Sequence, residues 1–268
     1  MQQAGVIDIG YLELILAAGF MLVAAYVSWR MKLGQEKSIA IATVRVFLQL
    51  LAMGFILIYI FQYQSWWLVL LVMFCMSLFA ARIACDRIKL HLDGLWIDVY
   101  ASITLSSVVI ALIVVEGIIH ATPWYSARQL IPITGMAMGN TLSAVALAIS
   151  RLFADLDSRS DEIFALVALG ATPQEAAMPS IRSAVGAGIM PTIAGMSAAG
   201  IVQIPGMMSG QILAGADPVT AAKYQIVVLL MISAATTLAI VMACFLTYRK
   251  RFSESGYYLD PGMRAKQS

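Results

Sequence analysis

Seven apolar stretches, each about 20 residues or longer, dominate this chain and constrain what it can fold into. They lie at roughly 10–29, 39–61, 66–84, 96–119, 130–150, 180–203 and 224–247. Such a stretch is long enough to cross the hydrocarbon core of a bilayer as an α-helix. With 61% hydrophobic and 12% charged residues, little is left for a soluble domain. The sequence therefore predicts an all-α, polytopic membrane protein with about seven spans in one transmembrane domain, residues 1–268.

The basic residues are concentrated in alternate connections between these stretches, which predicts the orientation. Only Arg128 and Lys223 fall on the side that carries the N-terminus. The other side holds Arg30, Lys32, Lys37, Arg82, Arg87, Lys89, Arg151, Arg159, Arg182, Arg249, Lys250, Arg251, Arg264 and Lys266. By the positive-inside rule, the N-terminus is outside and the C-terminus is in the cytoplasm. We expect an inner-membrane protein whose first span is retained, since no cleavage pattern follows it.

Residue types that usually carry catalysis or bind cofactors are scarce. Cys75, Cys85 and Cys244 lie in or at the ends of spans without CxxC spacing, so we interpret them as packing residues. His91 and His120 are predicted on opposite sides of the membrane, which argues against a membrane enzyme built on paired histidines. The chain has no G-x-x-x-x-G-K-[ST] loop to bind nucleotide phosphates. Basic and aromatic residues do not interleave as in nucleic-acid binders. We expect a non-enzymatic chain that binds no cofactor itself and no nucleic acid.

The connection at about 158–179, which we call the elbow, is punctuated as two short helices. The S-x-x-D spacing of Ser158 and Asp161 predicts a helix start. Gly170 is placed to end that helix with a positive φ angle. In Thr172-Pro173-Gln174-Glu175, the hydroxyl, proline and carboxylate have the spacing of a capping box.

Two roles are compatible with that pattern. Phe164, Val167, Ala168 and Ala171 recur at helical spacing and give the first helix an apolar side. Pro179 is predicted to end the second helix before the sixth span. An interfacial hairpin that covers the bundle is one interpretation. A rigid element that receives a push from a partner protein is the other.

The fifth and sixth spans are predicted to pack closely. Gly135, Gly139 and Ser143 recur at four-residue steps in the fifth span, and small residues allow helices to approach in lipid. Pro191 is predicted to kink the sixth span. Both spans are expected to face protein or a transport pathway rather than lipid.

Two segments rich in proline, glycine and methionine are candidates for the pathway. The first contributes Met136, Met138 and Asn140, and Met136 and Asn140 share a helical face. The second, too irregular for a lipid-facing helix, is predicted to re-enter the membrane or line a pore. It contributes Met207, Met208, Gln211 and Asp217. Methionine thioethers suit soft metal ions, although packing is the alternative role.

Other polar residues have plainer interpretations. Glu13, Glu116, His120 and Asp217 fall on the predicted outer side, either as a cation capture site or as solvated surface groups. Arg45 and Gln49 share one face of the second span. We expect them to be structural intramembrane residues, with Asp98 as the counterion of Arg45.

Several motifs together carry a resemblance to a known family. Leu-Gly-Ala-Thr-Pro at 169–173 resembles the coupling loop of ABC-transporter permeases, with Phe164 where the fuller motif has glutamate. "PITGMAMGN" at 132–140, "IPGMMSGQILAGADPVTAAKYQI" at 204–226 and "ACFLTYRK" at 243–250 resemble the FetB (YbbM) family of permeases. The resemblance runs from the second span to the basic tail.

The resemblance implies a function and partners. A FetB-like chain is the membrane subunit of an ATP-driven iron exporter, and a plant relative serves in aluminium tolerance. It would act as a homodimer beside two cytosolic ATP-binding cassette subunits, which bind ATP and Mg²⁺. The expected contacts with the ATPase are Phe164, Val167, Gly170, Ala171, Thr172, Pro173 and Glu175. Organic or nucleotide-sugar cargo is an alternative. An ATP-independent secondary transporter or channel is disfavoured, because the span centres lack ionisable residues apart from Arg45.

Overall fold

The computed structural model describes residues 9–63, 65–88, 92, 94–253 and 256–259. The predictions made for Lys89, His91, Arg264 and Lys266 lie outside this range. The described residues form helices and no named strand, as predicted. The helices are α1 Tyr11–Arg30, α2 Glu36–Tyr63, α3 Trp66–Ile88, α4 Leu95–Gly117, α5 Ala127–Ser158, α6 Ser160–Ala168, α7 Pro173–Ala198, α8 Gly206–Leu213 and α9 Pro218–Thr247. A 3-10 turn at Tyr248–Arg251 follows α9.

Within the described residues, six helices are long and apolar enough to cross a membrane, namely α1, α2, α3, α4, α5 and α9 with its 3-10 extension. The protein is therefore a multi-pass membrane protein. Helix α7 has 26 residues and a length of about 39 Å. It is not among the six, and its prolines, glycines and serines explain its lower hydropathy. The seventh span and the orientation of the termini stay predictions.

Helix α5 is at the centre of the bundle. It packs against α3, α4, α7 and α9, and half of its 32 residues are buried. Buried residues form two clusters along the bundle, one near the elbow and one toward the opposite end. By contrast, α1 and α2 pack mainly on each other and bury one residue each, Ser28 and Ile60. Their exposed apolar side chains require lipid or another protein surface.

The predicted close approach of the fifth and sixth spans is present, although other small residues produce it. A Cβ atom placed on Gly188 of α7 would lie 3.0 Å from the Cβ of Ala148 and 3.3 Å from the backbone oxygen of Ala144. Gly139 has no such neighbour within 4 Å. Ser143 accepts a hydrogen bond from Arg87 at 2.9 Å. The contact face of α5 is thus the alanine stripe one position beyond the predicted one.

Two predicted boundaries in the elbow are wrong. Helix α5 continues to Ser158, about two turns beyond the predicted span, because Leu152, Phe153 and Leu156 extend its buried face. Helix α7 runs without a break from Pro173 through Pro179. Pro179 is exposed near the helix start, so the missing N–H affects a carbonyl that water can reach. The second elbow helix is therefore the first turns of α7.

The predicted orientation can be tested by labelling in intact cells. Ser126 precedes α5 and Ser158 ends it, so the helix places them at opposite ends. In a variant without native cysteines, Ser126→Cys is expected to react with an impermeant maleimide added outside, and Ser158→Cys only after permeabilisation. Labelling of Ser158→Cys in intact cells would show that the orientation is the reverse of the predicted one.

Candidate functional site at the elbow

The start of α6 differs from its predicted capping pattern. The Ser158 hydroxyl donates to the Asp155 carbonyl within α5, and Arg159 occupies the N-cap of α6 without a side-chain cap. Arg159 instead donates two hydrogen bonds to the Glu162 carboxylate, at 2.9 and 2.6 Å, and a third at 3.1 Å to the Ser180 hydroxyl of α7. The shared hydrogen bonds raise the pKa of Arg159 and lower the pKa of Glu162. Arg159 thereby links both elbow helices.

The turn between α6 and α7 has the predicted geometry. Gly170 adopts a φ of +96°. The amide of Gly170 donates to the Val167 carbonyl, and the amide of Ala171 donates to the Leu166 carbonyl, which is the Schellman pattern. Thr172 and Glu175 form the complete capping box, with the Thr172 amide donating to the Glu175 carboxylate at 2.8 Å. Hydrogen bonds from the Thr172 amide and hydroxyl lower the pKa of Glu175. The carboxylate form is therefore favoured at neutral pH.

The apolar face of α6 is rotated from the predicted one. Ile163 is fully buried, and Leu166 and Val167 pack against the core cluster. Phe164, predicted on the packed side, is 61% exposed, and Leu169 at the turn is 86% exposed. Ile163, rather than Phe164, faces the bundle because it packs in the core cluster with the buried residues at the ends of α5 and α7.

Exposure divides the predicted coupling residues. Phe164, Gly170, Thr172 and Glu175 are exposed, whereas Val167, Ala171 and Pro173 are half-buried. Leu169 was not among them, although it is the most exposed large apolar residue of the turn. The sequence feature that indicates its exposure is its position directly before Gly170, the glycine that ends the helix.

The C-terminal segment, residues 248–259 as far as the structure describes them, borders the elbow and was not anticipated as part of the site. Arg251 donates to the Asp157 carboxylate at 2.9 Å, and its guanidinium lies 5.2 Å from the Phe153 ring centroid. The Tyr258 hydroxyl donates to the other Asp157 oxygen at 3.1 Å. Asp157 at the end of α5 thus holds two points of the segment.

Asp98 is not the counterion of Arg45. Its carboxylate pairs with Lys250 at 2.9 Å, which ties the start of α4 to the end of α9. Arg45 and Gln49 share one exposed face of α2, as predicted from their spacing. No ion pair of Arg45 occurs among the described residues.

The first pathway segment divides between core and surface. Met138 is 2% exposed and belongs to the core cluster near the elbow. Met136 is half-buried, and Asn140 is exposed with its side-chain amide donating to the Met136 carbonyl at 2.8 Å. Met136 and Asn140 are therefore the accessible members of this segment.

The second pathway segment forms the short helix α8, which packs on α9. Met207 packs against the same core cluster as Met136, so the fold brings the two methionine segments to one end of the bundle. The Met208 amide donates to the Gln225 side chain at 3.2 Å. The Gln211 side-chain oxygen is buried with no hydrogen-bond partner in the described structure.

The predicted outer carboxylates do not assemble into a metal site. Within the described residues, no group of three His, Cys, Asp or Glu side chains has the spacing to hold a metal ion. Asp217 is instead the N-cap of α9, accepting from the Thr220 amide at 2.8 Å. Hydrogen bonds from the Thr220 amide and hydroxyl lower the pKa of Asp217.

A double substitution tests the accessible pathway face. Met136→Ala combined with Asn140→Ala is expected to reduce transport at least several-fold while the protein inserts and purifies normally, since neither side chain is deeply buried. The measurements are transport by the variant reconstituted in vesicles and the melting temperature of the purified variant. Met138→Ala is the control, and we expect a loss of about 2–5 kcal/mol of stability from this core position. Unchanged flux with lowered stability in the double variant would assign Met136 and Asn140 to packing.

Comparisons with known proteins cover almost the whole chain. The model of "Uncharacterised protein family (UPF0014)" matches residues 11–252. The UPF0014 membrane protein YjkA of Bacillus subtilis is 35% identical over 91% of this chain and 96% of its own length. The "Probable iron export permease protein FetB" of Escherichia coli is 36% identical over 90% and 92%, respectively. The "Protein ALUMINUM SENSITIVE 3" of Arabidopsis thaliana is 29% identical over 88% and 85%. No solved structure gave a match.

Proposed function

The chain belongs to the UPF0014 family of membrane proteins, and we propose that it is the permease subunit of an ABC transporter that exports a metal ion. A separate cytosolic subunit hydrolyses the ATP. The permease designation of the Escherichia coli relative supports the transport role, and that protein is named for iron export. Iron is accordingly the first cargo to test.

The observation that carries the proposal is the construction of the elbow. Leu169 projects from a turn whose backbone is fixed on both sides, by the Schellman hydrogen bonds and by the capping box. Phe164 is exposed on α6, the helix that leads into this turn. Arg159 ties α6 to α7, and Ile163 anchors α6 in the core. An exposed apolar tip on a rigid base is suited to fit a partner's groove. Because α7 is continuous with the tip, a displacement there reaches the membrane bundle directly.

A homodimer accounts for the unusual exposure of two helices. Helices α1 and α2 leave nearly all their side chains uncovered, Arg45 and Gln49 included. Lipid suits the apolar side chains of this pair. An intramembrane arginine needs a polar neighbour or a route to the interface. We propose that a second copy provides part of this cover, with two ATPase subunits completing the transporter.

Organic or nucleotide-sugar cargo remains the second candidate, and one observation favours it. The described residues offer no cluster of hard metal ligands. A bare iron ion prefers imidazole and carboxylate groups. A metal bound to an organic chelator, or an organic anion, needs no such cluster.

Co-purification and flux test the proposal together. The tagged permease is expected to retain a Walker-motif ATPase in mild detergent, and vesicles containing both are expected to move iron only with ATP. Vesicles with the permease alone are the control for a secondary transporter. Failure of every cassette ATPase from the same genome to bind would overturn the ABC assignment. ATP-dependent movement of an organic anion, without movement of free iron, would change the cargo.

A further inference from the structure

A cavity of about 560 Å³ lies between the elbow and the C-terminal segment. The elbow contributes Thr172, Pro173 and Gln174 to its wall. The opposite wall consists of Tyr248, Arg249, Phe252, Ser253 and Gly256. A Cβ atom built on Gly256 would lie 3.6 Å from the Pro173 ring, so the two walls meet at one edge. The cavity is thus a joint feature of two segments that are far apart in the sequence.

The three consecutive basic residues at 249–251 have different surroundings. Lys250 pairs with Asp98, and Arg251 pairs with Asp157, so both of these positive charges are balanced by carboxylates within the fold. Arg249 faces the cavity, and its guanidinium donates a hydrogen bond to the Tyr248 hydroxyl at 3.2 Å. No carboxylate among the described residues pairs with Arg249. Within the part of the chain that the structure describes, the cavity therefore presents one cation, Arg249, that no carboxylate pairs with, between apolar and small polar walls.

We propose that the elbow is only half of the docking surface, and that this cavity receives an acidic segment of the ATP-hydrolysing partner, with Arg249 as its ion-pair partner. The inference rests on the proposed function, which identifies that partner. Charge complementarity selects an acidic side chain, since a cation placed here would meet Arg249. The apolar surfaces of Pro173 and Phe252 suit the aliphatic stem of a glutamate. In this arrangement the elbow tip enters the partner while the partner enters the cavity, which fixes the relative rotation of the two proteins.

The test uses the full-length permease in nanodiscs and the cassette ATPase recovered with it. Arg249→Gln is expected to weaken binding roughly three- to ten-fold, mainly through the association rate, and to reduce the salt dependence of the dissociation constant. Arg249→Glu is expected to weaken it further, whereas Arg249→Lys stays near wild type. Arg82→Gln removes another exposed arginine and is expected to bind as wild type.

A second pair of variants tests the cavity without changing charge. Gln174→Trp is expected to fill the space and weaken binding at least as much as Arg249→Gln, whereas Gln174→Ala leaves the space open and is expected to weaken binding much less. Melting temperatures should stay within about a degree or two of wild type, because Gln174 and Arg249 are both exposed. Normal binding by Arg249→Glu and Gln174→Trp, while the elbow variant Gly170→Val fails to bind, would overturn this inference and leave the proposed function intact. Absence of any ATPase binding to the wild type would overturn the proposed function itself.

Discussion

Replacing Gly170 with valine is expected to uncouple the permease from the ATPase subunit proposed above without dismantling the membrane bundle. At a φ of +96°, a β-branched residue is strained by roughly 1–3 kcal/mol. A Cβ atom at this position meets no other atom within 4 Å, so the effect comes from the backbone alone. The turn relieves that strain by changing conformation, which moves Leu169 away from its docking position. ATPase stimulation in vesicles and ATPase pull-down are the measurements.

Matched variants separate strain from loss of the cap. Gly170→Asn is the control for the turn, because asparagine tolerates positive φ far better than valine does. Thr172→Ala removes a cap worth about 1 kcal/mol, and Thr172→Ser keeps the hydroxyl. The double variant Gly170→Val/Thr172→Ala should be little worse than the stronger single one, since both distort one surface. Normal docking and normal stimulation by the double variant would make the elbow only a cover for the bundle.

The parts of the elbow that could be predicted from sequence are those fixed by local backbone chemistry. Gly170, Thr172 and Glu175 were predicted in their observed roles because capping depends on residue type at short, fixed spacing. The helix start at Ser158 was wrong for a tertiary reason. The end of α5 is held by the buried contacts of Leu156 and by the hydrogen bonds of Asp157, which keep Ser158 inside that helix.

The residues that sequence reasoning missed depend on contacts between distant segments. Two overlapping stripes on α6, one with Ile163 and one with Phe164, have the same helical spacing, so only the packed structure distinguishes them. Likewise, "YRKR" at the end of α9 indicates membrane orientation through its charge alone. The three basic residues of this run have different roles, because Lys250 pairs with Asp98 of α4 and Arg251 pairs with Asp157 of α5, whereas Arg249 faces the cavity. These partners lie on two other helices, so the run alone does not reveal the roles.

Neutralising Asp157 is expected to destabilise the elbow end of the bundle and release the C-terminal segment. Arg251 is only 6% exposed, and Asp157 is 35% exposed. Asp157→Asn leaves a nearly buried guanidinium without its carboxylate and weakens the hydrogen bond from Tyr258. Loss of one partner of a buried pair costs about 3–5 kcal/mol. Because water reaches Asp157, we expect roughly 1–3 kcal/mol here, seen as a lower melting temperature in detergent.

A double-mutant cycle with Arg251→Met distinguishes the ion pair from general damage. Methionine keeps apolar contact with Phe153 and carries no charge, so the pair Asp157→Asn/Arg251→Met should be clearly less destabilised than the sum of the single variants. Tyr258→Phe, which removes only the hydroxyl, should cost about 1 kcal/mol. The single variant Asp157→Asn should also weaken ATPase binding, because release of the segment moves Arg249 from the cavity wall. Strict additivity in the cycle, with an unchanged melting temperature for Asp157→Asn, would show that Asp157 does not hold the C-terminal segment in the membrane-embedded protein.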